Sequence, residues 1–134
     1  MNSTLQCLRA VPELRDYLKQ TQAQDLAGAL NSTYAQLDAS TKPIEPATFV
    51  ATLRSAFPQF AQRGRGGGFA QQDAEELYSS LLATLASSLK DGDSNTIDKL
   101  FGLELEERLS CPECAEEPEV VRKDTARKLV CNIQ

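Results

Sequence analysis

Two kinds of side chain in this 134-residue sequence are placed to do chemistry: thiols, and a carboxylate set in an amide-rich run. The cysteines are Cys7, Cys111, Cys114 and Cys131. A thiol becomes a nucleophile when a neighbouring base takes its proton, and near neutral pH that base is commonly an imidazole. The chain holds no His, so these residues alone cannot complete a Cys–His pair. Cys7 has apolar neighbours and reads as a buried structural thiol. Cys111-Pro112-Glu113-Cys114 has the spacing of half a zinc knuckle, because two thiolates three positions apart can take two corners of a tetrahedron. Cys131 does not supply the second half, and a redox CxxC expects a βαβ pattern that is missing. A half-site binds zinc poorly. The expectation is no cofactor and no metal, with Cys111 and Cys114 the residues to check.

The carboxylate is Asp73, in Gln71-Gln72-Asp73-Ala74-Glu75-Glu76. It stands just before an apolar-periodic run, where it can accept hydrogen bonds from exposed helix N–H groups, and Glu75 and Glu76 suit the positive helix end. A fixed carboxylate beside a channel can also accept charge-assisted hydrogen bonds from an arginine or from main-chain amides. Both roles remain open from the residues alone.

The elements that must position these groups follow from periodicity. Leu77, Tyr78, Leu81, Leu82, Leu85 and Leu89 recur at three and four, which predicts a long amphipathic helix behind Asp73. Leu5 and Leu8, then Val11, Leu14, Tyr17 and Leu18, predict one or two short helices around Pro12. Leu26, Ala29, Leu30, Thr33, Tyr34 and Leu37 predict another helix over 22–37. The stiff connector Lys42-Pro43-Ile44-Glu45-Pro46 follows, with Pro46 suited to a first helical position. Phe49, Val50, Leu53 and Phe57 predict a helix stopping before Pro58. Ser94 or Asn95 can cap a short helix through Leu100. Asp91, Asp93 and Asn95 echo a calcium loop, but the required Gly and closing Glu are missing. From Phe101 the period changes: Phe101, Leu103 and Leu105 alternate with polar residues, as do Leu129, Cys131 and Ile133, which predicts strands.

Arg63-Gly64-Arg65-Gly66-Gly67-Gly68 reads as a mobile connector delivering the Gln71 to Glu76 box. It is no dinucleotide fingerprint, since no strand precedes it and the glycine spacing is wrong. Two Arg-Gly repeats on a chain of net charge −5 and pI about 4.8 do not make a nucleic-acid binder, which needs a basic face. No stretch approaches the roughly 18 apolar residues of a membrane span, and the N-terminus lacks a signal-peptide core. The expectation is a soluble protein of the cytoplasm, with the nucleus also open to it, binding neither nucleic acid nor membrane. The hydrophobic fraction of 41% and aromatic fraction of 6% fit a small domain or a piece of a larger one.

The Gln71 to Glu76 run resembles the QQDA-x-E box of the ubiquitin-specific proteases, a family of cysteine-dependent deubiquitinating enzymes. Met1-Asn2-Ser3-Thr4-Leu5-Gln6-Cys7-Leu8 resembles the helix that follows that family's nucleophile, where Gly-Asn-Thr-Cys-Tyr leads into Met-Asn-Ser-x-Leu-Gln. Val11-Pro12-Glu13-Leu14, Ala56-Phe57-Pro58-Gln59-Phe60-Ala61 and Phe101-Gly102-Leu103-Glu104 resemble the proteasome-associated branch. The resemblance implies an α+β, cysteine-proteinase-like fold, with residues 1–100 forming part of its helical thumb and residues 101–134 beginning its β fingers. The catalytic domain would be incomplete at both ends: the nucleophile would lie two residues before Met1, and the His and its acidic partner beyond Gln134. It implies cleavage after the C-terminal glycine of ubiquitin by the parent, an inactive piece here, and ubiquitin, ubiquitinated proteins and the proteasome as partners. Asp73 inherits a role in holding the ubiquitin tail, with Gln72 beside it, while Glu76 braces the helix start. The alternative is a catalytically dead ubiquitin-binding or scaffold protein.

Overall fold

The structure, a computed structural model, describes residues 1–21, 25–91, 94–113 and 118–129. Pro12 splits the first apolar run in two. Helix α1 (Asn2–Arg9) buries Thr4, Leu5 and Leu8, and α2 (Pro12–Gln20) starts with proline at its first position and buries Leu14 and Leu18. Proline fits there because its missing N–H would have had no helical partner. Helix α3 (Leu26–Ala39) is capped by Asp25, whose side chain accepts from the Ala27 and Gly28 amides. Its buried residues Leu26, Ala27, Ala29, Leu30, Thr33 and Tyr34 form a stripe broad enough to touch α2 and two later helices.

Those are α4 (Ala47–Ala56), with Phe49 and Leu53 buried, and α5 (Ala74–Ser88), with Leu77, Leu81, Leu82, Leu85 and Ala86 buried. Helix α5 also touches α1. Pro46 stands one position earlier than expected, at the cap of α4. A single 3₁₀ turn, Pro58–Ala61, follows α4 and carries Phe60 into the core, where its ring meets Phe57 edge-on at 6.0 Å. This is the preferred quadrupole geometry for an aromatic pair. Polar groups tie the helices at their rims. The Tyr34 hydroxyl donates to the Leu5 carbonyl at 2.9 Å. The Asp38 carboxylate pairs with Arg9 at 2.6 Å and also with Arg15.

The glycine-rich segment, expected as a mobile connector, is instead a closed turn. Arg63 bridges Phe69 in antiparallel fashion, Gly64 donates to the Gly68 carbonyl at 2.9 Å, and Ala70 donates to Gln62 at 2.9 Å. Gly67 supplies the left-handed conformation, at φ 78°, that a side chain would resist. Composition hid this outcome because glycine permits both a loose chain and a tight turn.

Strands β1 (Lys90–Asp91) and β2 (Ser94–Asn95) form a minimal antiparallel pair. The Asn95 side chain accepts from the Ile97 amide at 3.0 Å to open α6 (Thr96–Phe101). Contacts divide the chain into two compact units, Met1–Ile97 and Asp98–Gln134.

The second unit holds β3 (Leu103–Leu109) and β4 (Val120–Ala126), paired antiparallel with Leu103 opposite Ala126 and Leu109 opposite Val120. Gly102 stops α6 ahead of this hairpin, donating to the Asp98 carbonyl at 2.8 Å. A Cβ at that position would collide with the same carbonyl oxygen. The strand expected over Leu129, Cys131 and Ile133 falls, Leu129 apart, outside the described residues. β4 is earlier and is assembled by partnership with β3, and Leu129 follows it as an exposed residue. Gly92, Asp93, Cys114, Cys131 and Ile133 lie outside the described residues.

Candidate functional site

The two sequence blocks with chemical character meet at one place in the first unit. A cavity of about 500 Å³ is lined by Met1, Asn2 and Ser3 from the opening of α1, by Ala70, Gln71, Gln72 and Ala74 from the approach to α5, and by Arg54, Phe60 and Phe69. Local sequence explains the placement of each wall. The first turn of α1 has no side-chain cap, so its leading N–H groups have no side-chain oxygen to satisfy them. Asp73 is not itself one of the lining residues; standing in sequence between Gln72 and Ala74, which are, it caps α5: its Oδ1 accepts from the Glu75 amide at 2.7 Å and more weakly from the Glu76 amide at 3.4 Å.

Asp73 is exposed and extended, at φ −70° and ψ 129°. Both amide bonds fall on one oxygen, Oδ1, and a carboxylate has acceptor capacity on each of its two oxygens. Gln72 is half-buried, and its side-chain nitrogen donates to the Ala70 carbonyl at 3.2 Å, holding the approach chain in shape. Glu75 accepts from the Ser79 hydroxyl at 2.8 Å along the outer face of α5. The cavity thus has the uncapped start of α1 on one wall and the approach to the acid-capped α5 on the other.

The thiols are not part of it. Cys7 is exposed, not buried: the buried face of α1 runs through Thr4, Leu5 and Leu8, and Cys7 falls outside that stripe at 100° per residue. Cys111 is exposed and free, while Cys114 lies outside the described residues. Among the described residues no group of three or more His, Cys, Asp or Glu side chains could hold a metal ion, and no helix is long and apolar enough to cross a membrane. The sequence reading missed Arg54 and Phe69 as lining residues. Their signal, an aromatic immediately before the box and a cation on a preceding helix, is too common to stand out without coordinates.

A helical unit followed in sequence by an antiparallel hairpin makes this an α+β chain. A family model described as "Ubiquitin carboxyl-terminal hydrolase" matches residues 1–130, and the chain belongs to that family. It is 40% identical over 131 residues to "Ubiquitin carboxyl-terminal hydrolase 7" of Arabidopsis thaliana, covering 87% of this chain and 27% of that protein. To "Ubiquitin carboxyl-terminal hydrolase 6" of the same plant it is 36% identical over 148 residues, covering 99% of this chain and 30% of the relative. To "Ubiquitin carboxyl-terminal hydrolase 6" of Schizosaccharomyces pombe it is 38% identical over 135 residues, with 99% and 28% covered. The chain thus spans less than a third of the length of these curated relatives.

Proposed function

We propose that these residues form the helical thumb and the beginning of the fingers of a deubiquitinating thiol hydrolase that cleaves after the C-terminal glycine of ubiquitin. The observation that carries the reading is the cavity gathering residues 1–3 with residues 70–72 and 74, on either side of Asp73. The start of α1 would direct its positive end at the reacting carbonyl and favour a thiolate just upstream. Asp73 would receive the extended, arginine-bearing ubiquitin tail, with Gln72 keeping the approach chain in place. Neither a thiol in the cavity lining nor any His is supplied by these residues, so nucleophile and base come from elsewhere in the catalytic domain and the 134 residues alone do not turn over. Ubiquitin and ubiquitinated proteins are the partners, the proteasome is the place of work, and the cytoplasm and nucleus are the compartments.

The test is hydrolysis of a ubiquitin–fluorophore reporter by the 134-residue chain and by the same chain within a complete catalytic domain. The expected result is no turnover by the first and turnover by the second. Hydrolysis by the short chain would overturn the division of labour. Ubiquitin binding without hydrolysis by the complete domain would favour a scaffold.

A further inference from the structure

The glycine-rich turn has no role in the site as so far described, yet it is held by two cations that share one ring. Phe69 is 49% exposed. The Arg54 guanidinium carbon, on α4, lies 3.3 Å from its ring centroid, and that of Arg63 lies 5.2 Å away. Both distances fall within cation–π range, and a planar guanidinium at the shorter one is stacked on the ring. The Arg54 Nε is buried with no hydrogen-bond partner, so the stack on Phe69 holds this side chain in the absence of a polar anchor at that nitrogen. Arg63 is fixed a second time, its Nη1 donating to the Gly67 carbonyl at 2.9 Å.

The restraint passes along the chain toward Asp73. Phe69 is bridged to Arg63, the next residue, Ala70, donates to Gln62, and the Ala70 carbonyl takes the Gln72 side chain. Asp73 follows. Arg54 and Phe69 themselves line the same cavity as Gln71, Gln72 and the start of α1. A helix residue nineteen positions upstream of Asp73 is thereby coupled to the backbone that presents it.

We propose that Arg54 and Arg63 clamp Phe69 and so act as positioning residues, setting the backbone of Gln72, which lines the cavity, and of Asp73 next to it in sequence for an incoming ubiquitin tail. The proposal rests on the deubiquitinase reading. A clamp that positions an acceptor for ground-state binding moves KM and leaves kcat nearly unchanged. Replacing arginine by lysine keeps the charge and loses the planar stack, so charge and stacking can be separated.

The experiment uses the full-length enzyme, with steady-state kinetics on a ubiquitin–fluorophore reporter, thermal melts, and amide exchange at Gly64, Gly67 and Ala70. Arg54→Ala, Arg54→Lys and Phe69→Leu are expected to raise KM about five- to tenfold, the size of one such stack, with kcat within about twofold. Phe69→Tyr, which keeps the ring, is expected to restore KM, and the three amides should exchange faster wherever the stack is lost. An unchanged KM in Arg54→Ala and Phe69→Leu overturns the positioning role, as does a rise matched by a fall in folded fraction. A wild-type enzyme with no turnover fails the deubiquitinase reading instead. In that case unchanged amide exchange in Arg54→Ala overturns the clamp as well, and faster exchange upholds it as a device ordering the turn.

Discussion

Asp25 caps α3 with one carboxylate oxygen, Oδ1, and accepts the Ser88 hydroxyl at 2.6 Å with the other. One side chain thus ties the start of α3 to the end of α5 across 63 residues of sequence. Burial pushes its carboxyl up, but the Ser88 hydroxyl and the Ala27 and Gly28 amides outweigh that effect and hold it below its ordinary value.

Asp25→Ala is expected to cost about 1–2 kcal/mol, the range for losing a helix cap. The sign of its pH dependence follows from the lowered folded pKa. The stabilisation is fully present above the unfolded value of about 3.9 and is lost as pH falls through the folded value. Thermal melts should therefore show a gap between wild type and variant at pH 7 that closes below about pH 4. A gap of equal size at both ends would mean that the charge of Asp25 contributes nothing.

Tyr34 gives the opposite test. Burial pushes its phenol above the ordinary value, against the opposing pull of Arg15 and Arg9. A folded pKa above the unfolded one gives stability that is intact below about pH 10 and lost as pH rises further. Tyr34→Phe removes the bond to the Leu5 carbonyl and is expected to cost about 1 kcal/mol at neutral pH. Because Phe has nothing to titrate, its unfolding curve should converge on the wild-type curve in alkali, as read by urea denaturation at pH 8 and above pH 10.

Asp73 serves the fold and, on the reading proposed above, the substrate, and two substitutions separate these roles. Asp73→Asn keeps a good cap and removes the charge, while Asp73→Ala removes both. In the complete enzyme the Asn variant is expected to melt near wild type and lose about tenfold in kcat/KM on a ubiquitin reporter, the worth of one charge-assisted hydrogen bond. The Ala variant should lose both activity and about 1 kcal/mol of stability. Wild-type activity in Asp73→Asn would leave Asp73 a cap and nothing more.

Most of the helical architecture was legible in the residues because local rules determine it. Leucines at three and four set the buried faces of α2 and α5, Pro12 separated α1 from α2, and Asp73 and Asn95 stood where caps belong. The run before α5 and the opening of α1 were marked as a candidate site by their resemblance to the motifs of the ubiquitin-specific proteases, since by local chemistry alone the run before α5 reads as a helix start.

What the chain could not reveal by itself was set by contacts distant in sequence. Cys7 looked buried among apolar neighbours, but its exposure was settled by which stripe of α1 faces the core. β4 was found by its register with β3, not by its own alternation. The glycine-rich segment could have been slack or closed, and the choice was made by hydrogen bonds across the turn and by a ring under the Arg54 guanidinium. Periodicity and capping act within one or two helical turns, so the sequence determined the elements. The cavity needed residues 1–3, 54, 69–72 and 74 brought to one place, and only burial of the helices against one another does that.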